Sequence, residues 1–206
     1  IDIMEKNPRV ADHLPKVIGG ILKKNGDMAP LTSRKKLYSD TLKFIDDTGE
    51  KIGNTIHEIQ FKYGDNVHMF PTKSQLSKTI VKKLDKLKEK RGLLDAEGIP
   101  KKTEDAVSEL KKIDDLQNKY MKDYFDHRPL GAAELQKEKV EFFKRSNWNY
   151  TGDKLPITSD INRTLGEAFK DELYDVSHRI APSLGKQLRT ELLDYQTATT
   201  FVSSFG

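Results

Sequence analysis

Apolar side chains recur along most of the chain at alternating steps of three and four, the mark of amphipathic helices packed by one face. The clearest run starts after Ser33, where Tyr38, Leu42, Ile45, Gly49, Ile52, Ile56, Ile59 and Tyr63 form a heptad-like seam. Gly49 and Gly53 sit four apart inside it. Each costs about 1 kcal/mol relative to alanine in a helix interior, so the spacing predicts either a compensating close approach of another backbone or a local kink. Together with Ile52 and Ile56 they are candidate interface positions.

Pro71 followed by Thr72-Lys73-Ser74-Gln75 matches a capping box, and Leu76, Ile80, Leu84 and Leu87 supply the buried stripe of the helix it starts. Gly92 is placed to end that helix. Residues 93–102, with Gly98 and Pro100, read as a connector and a point of subdivision. A third helix begins at Thr103 with Ala106, Leu110, Ile113, Tyr120 and Tyr124 on one face, and Asp126-His127-Arg128-Pro129 stops it. A shorter helix over 131–145 uses Leu135, Val140 and Phe143. Thr158 or Ser159 then caps a helix carrying Ile161, Leu165, Phe169, Leu173, Val176 and Ile180. Ala181-Pro182 joins it to another with Leu184, Leu188, Leu192 and Tyr195, because proline is tolerated at a first helical position. No segment alternates at period two long enough to be a strand.

Residues 1–32 differ. Pro8, Pro15 and Pro30 with Gly19, Gly20 and Gly26 predict an extended or flexible arm with short turns. The expectation is therefore an all-α fold: an elongated bundle of five to six amphipathic helices over 33–206, preceded by that arm.

Composition sharpens this picture. Charged residues reach 33%, against about 25% in typical globular proteins, while hydrophobic residues are held to 35%, which suits narrow apolar stripes on long helices. The 36 basic and 32 acidic residues are interspersed, leaving a net charge of +4. With no cysteine, disulfides, thiolate catalysis and cysteine-based zinc sites are all excluded. No apolar run approaches the ~20 residues of a membrane span, so the chain is expected to be soluble. Its opening Ile1 and its end at Ser203-Ser204-Phe205-Gly206 lead to the expectation of processing from a longer polypeptide.

Motifs that carry chemistry are few in the sequence. His57-Glu58-Ile59-Gln60-Phe61 begins like a zinc-protease helix, but Phe61 stands where the second histidine must be. His13, His68, His127 and His178 are scattered, and Asp126-His127-Arg128 is as readily a helix terminus as an acid–base pair. Phosphate loops, dinucleotide fingerprints and nucleophile elbows are missing from the sequence, and no cofactor is expected. The main basic cluster is Lys78, Lys82, Lys83, Lys86, Lys88, Lys90 and Arg91, followed by Lys101 and Lys102. Within it Lys78, Lys82, Lys83, Lys86, Lys90 and Arg91 are candidate phosphate contacts, although Asp85 and Glu89 dilute the charge. Trp148 and Tyr150 lie in a polar-aromatic loop, where they either plug a bundle end or anchor an interface.

The order of these elements resembles helical regions of internal or structural virion proteins of tailed bacteriophages and related prophages. The resemblance rests on Gly49-Glu50-Lys51-Ile52-Gly53, the basic helix with Leu84 and Leu87, the run Leu130-Gly131-Ala132-Ala133-Glu134-Leu135-Gln136, and Arg163-Thr164-Leu165 continuing to Ile180-Ala181-Pro182 and Leu188. It implies a non-enzymatic structural or assembly domain of a phage-like particle. Its partners would be a second copy or other virion components, and its location the virion or otherwise the cytoplasm. Two alternatives remain open: a helical toxin or peptidoglycan-degrading enzyme whose site assembles only in three dimensions, and a nucleic-acid-binding accessory protein with a continuous basic face.

Overall fold

A computed structural model describes residues 8–24, 34–62, 64–146 and 156–203. The fold is all-α. Seven α-helices are present among the described residues, more than the five to six expected because one forms within residues 1–32: α1 Pro8–Lys24, α2 Arg34–Lys62, α3 Lys73–Lys90, α4 Glu104–Met121, α5 Ala132–Arg145, α6 Ile157–Ile180 and α7 Pro182–Ser203. Short 3-10 segments cover Gly64–Met69 and Lys122–Phe125. Extended pairing is limited, among these residues, to the isolated bridges Thr72 to Pro129 and Leu94 to Pro100.

The chain divides into two compact units, one of Ile1–Glu58 with Ala181–Gly206 and one of Ile59–Ile180. The division falls within α2 and at the α6–α7 junction rather than in the connector 93–102.

In the first unit α1 replaces part of the expected arm. Pro15 lies inside this helix, where a proline costs about 3 kcal/mol. Val10, Val17 and Ile21 are buried, and each contributes roughly 1.5–3 kcal/mol on leaving water. Burial therefore outweighs the penalty, and the proline content of 1–32 misleads because it ignores that apolar stripe. Val17 and Ile21 pack with Ala198 of α7, flanked by Ile18, Phe44 and Ile45. His13 Nε2 meets Asp194 Oδ1 at 2.5 Å on the same α1–α7 contact.

The seam of α2 is real but rotated from the expected one. Tyr38 and Leu42 are exposed, while Thr41, Thr48, Ile52, Thr55, Ile56 and Ile59 are buried. Three threonines at heptad spacing alternate with isoleucines on this face. Thr41 tolerates burial by donating to the Leu37 carbonyl at 2.7 Å. Thr55 donates to Glu191 Oε2 of α7 at 2.9 Å.

The second unit is built on α3. The capping box forms as the sequence predicts: Gln75 N donates to Thr72 Oγ1 at 3.2 Å, and Thr72 N donates to Gln75 Oε1 at 2.9 Å. Gly92 at φ +64 ends the helix in the left-handed region that glycine adopts without strain. The buried faces of α3 and α4 meet through Leu76, Ile80, Leu84, Leu110 and Ile113, while α6 contributes Leu165, Phe169, Leu173 and Val176. The α6 helix starts at Ile157, ahead of Thr158 and Ser159, so neither caps it; the Pro156 carbonyl accepts from Ser159 N and Asp160 N instead. Pro182 opens α7, as expected of a proline at a first helical position.

Close approach is set by two glycines other than the pair in α2. A Cβ on Gly166 would lie 2.6 Å from the Phe143 ring, and one on Gly131 would lie 2.7 Å from Gln60 Oε1. That same Gln60 oxygen accepts from Ala132 N at 2.9 Å, satisfying an orphan amide at the start of α5.

Candidate interaction surface

The basic cluster of α3 separates into two sets once folded. Lys83 Nζ donates to Asp171 Oδ2 of α6 at 2.8 Å. Lys88 Nζ donates to Gln117 Oε1 at 2.6 Å and pairs with Asp114 at 2.8 Å, both on α4. Arg91, whose side chain is only 4% exposed, forms a two-pronged pair with Glu109 at 2.8 and 2.7 Å and also binds Asp160. One guanidinium thus ties the end of α3 to both α4 and α6. These three cations face inward between helices, so Lys83 and Arg91 are corrected from phosphate contacts to interhelical ties.

Lys78, Lys82, Lys86 and Lys90 form the other set. All four are exposed on one side of α3, four residues apart, and among the described residues no carboxylate pairs with them. Lys78 Nζ lies 5.8 Å from the centre of the Tyr124 ring. Asp85 borders the row but accepts from Gln117 Nε2 at 2.7 Å, and Glu89 is exposed beside it.

The candidate interface residues fare differently. Ile52 and Ile56 are buried, so neither side chain faces solvent. Among the described residues Gly49 meets only the Tyr195 ring at 3.6 Å, and Gly53 has nothing within 4 Å of an added Cβ; no close backbone approach is seen there among them. Trp148 and Tyr150 lie outside the described residues. The two most exposed large apolar side chains among the described residues are others, Phe125 at 88% and Phe61 at 83%, and Met121 at 48% lies one turn before Phe125.

The polar candidates for chemistry are engaged structurally. Asp126 accepts from Arg128 N at 2.9 Å and pairs with Lys73 Nζ at 3.3 Å, which lowers its carboxyl from the ordinary value. Arg128 in turn grips Glu134 at 2.9 and 2.8 Å. The Asp126-His127-Arg128 run thus acts as a terminus that ties α3 to the start of α5. In the first unit, Glu191 accepts from Thr55 at one oxygen and from Gln187 Nε2 at the other, at 2.9 Å. An open groove of about 390 Å³ beside it is lined by Ser183, Lys186, Gln187, Thr190 and Glu191, all from α7.

Three groups are perturbed by burial in the second unit. Lys139 on α5 is 5% exposed, and burial, aided by the charge of Lys170, pushes its ammonium down to about 7. Tyr120 is pushed up to about 12, mainly by burial and then by Glu138 and Asp123. Glu172 is raised by burial, against the hydrogen bond it accepts from Thr79 at 3.0 Å. Near Lys139 in sequence, Gln136 Oε1 is buried without a hydrogen-bond partner among the described residues.

No group of histidine and carboxylate side chains among the described residues is arranged to hold a metal ion, and none of their helices is long and apolar enough to cross a membrane. Comparison with known protein families, curated proteins and solved structures finds no match. The buried Lys139 and the Arg91 tie escape sequence reasoning because a lysine and an arginine in charge-rich helices read as solvated faces. The threonines at 41, 48 and 55 did carry a signal, their heptad spacing, which an apolar-only count passes over.

Proposed function

We propose that the chain is a non-enzymatic helical module that acts by packing against protein partners, as a structural or assembly component. The observation that carries this reading is Phe125, a phenylalanine ring 88% exposed with Met121 at 48% one turn earlier. Covering such a ring contributes roughly 1.5–3 kcal/mol, and interface energy concentrates in aromatic anchors of this kind. The charged residues around it are largely engaged in holding helices together, which leaves apolar contact as the chief recognition chemistry at that end of α4. The proposed setting is a phage-like particle, with a second copy or another particle component as partner. Support for that setting is the order of sequence elements alone.

The test places a photo-reactive phenylalanine analogue at position 125 in the producing cell and, as a control, at the exposed Lys112 of α4. A discrete protein adduct formed at 125 and not at 112 is the expected result. Identical adducts at both positions, or none at 125, would contradict the proposal.

A further inference from the structure

Among the described residues no carboxylate pairs with the row Lys78, Lys82, Lys86 and Lys90, of which Lys78 alone touches a ring, that of Tyr124, whereas Lys83, Lys88 and Arg91 of the same helix all form interhelical ion pairs. Folding has sorted seven cations into an inward set and an outward set. Four-residue steps in an α-helix rise about 6 Å each, so the outward row spans about 18 Å along an i+4 ridge. Beyond the end of the helix, Lys101 Nζ lies 3.9 Å from where a Cβ on Gly92 would stand. We propose that this ridge is a docking surface for the phosphate backbone of a nucleic acid.

Regular spacing of like charges suits a regularly repeating polyanion, and DNA offers one negative charge per ~1.7 Å of its axis. An anionic membrane is the less suitable occupant. Helices that lie in a lipid interface insert an apolar face beside their cations, and here Leu76, Ile80, Leu84 and Leu87 are buried inside the unit. Glu89 beside the row weakens the field without interrupting it, and the ridge has no built pocket for a base, so binding should be indifferent to sequence. The surface is independent of the role given to Phe125, and either proposal can fail without the other.

The test measures fluorescence anisotropy of a labelled 20-mer duplex with the full chain at about 50 and 200 mM salt. Four phosphate contacts give a slope of about −3.6 in log affinity against log salt, which is about a 100-fold loss over that range. Changing Lys78, Lys82, Lys86 and Lys90 to glutamine should abolish the salt-dependent binding. A control with the same charge loss at the exposed Lys111, Lys112, Lys119 and Lys122 should keep it. Circular dichroism establishes that both variants fold, as substitutions at exposed positions should. No binding by the wild type at low salt, equal loss in the two variants, or binding to phosphatidylserine vesicles but not to DNA would each overturn the proposal.

Discussion

Lys139 gives the sharpest quantitative prediction, because it is a buried cation whose neighbouring charge on α6 is another cation, Lys170. In the unfolded chain the amine holds its proton to about 10.5, whereas in the folded protein burial releases it near 7. The folded state therefore binds fewer protons between those values, and stability rises with pH across that window. Below about pH 7 the full penalty applies, about 5 kcal/mol from the difference between the two values. Replacing Lys139 with methionine keeps an unbranched, apolar stem and removes the charge. Urea unfolding followed by circular dichroism should show Lys139→Met more stable than wild type by up to about 5 kcal/mol near pH 6, with the gap shrinking to under about 1 near pH 10. A variant that is less stable near pH 6, or a gap that stays constant with pH, would refute the buried-amine reasoning.

Other outcomes follow from the same packing. Arg91→Met leaves Glu109 and Asp160 without their cation and should cost about 3–5 kcal/mol in urea unfolding; the triple variant with Glu109→Leu and Asp160→Leu should recover most of that loss. Gly166→Ala forces the Phe143 ring to move and should destabilise by about 1–3 kcal/mol, whereas Gly53→Ala, with open space around it, should stabilise by up to about 1 kcal/mol. Thermal melts that rank the two glycine variants the other way would count against the described contacts. Thr197 is fully buried with its hydroxyl unpartnered among the described residues, so Thr197→Val should raise stability by about 1 kcal/mol, read from the unfolding midpoint.

Local signals in this sequence were legible where the chemistry is local. The Thr72–Gln75 capping box, the stop at Gly92 and the start of α7 at Pro182 depend on residues within a few positions of one another. The periodic apolar stripes of α3 and α6 also survive folding. Readings that depend on a distant partner failed. A proline-rich segment became α1 because α7 supplies an apolar surface for it, and the seam of α2 turned toward Thr41, Thr48 and Thr55 because Glu191 of α7 can satisfy one of those hydroxyls. The idea that a glycine marks close approach was sound, but the approaches occur at Gly131 and Gly166, where Gln60 and Phe143 arrive from elsewhere in the chain. For the candidate surface the basic cluster was visible, whereas its division was not. Whether a lysine of α3 faces solvent or a carboxylate of α6 is decided by the docking of α6.

As proposed above, this protein works through its outer surface rather than through an enclosed site. Hydrogen-exchange mass spectrometry, comparing the isolated chain with its complex with the partner trapped at position 125, tests it most directly. Slowed exchange over residues 117–126, with the α7 segment 183–191 unchanged, is the predicted result. Protection confined to 183–191, around the groove beside Glu191, would contradict it.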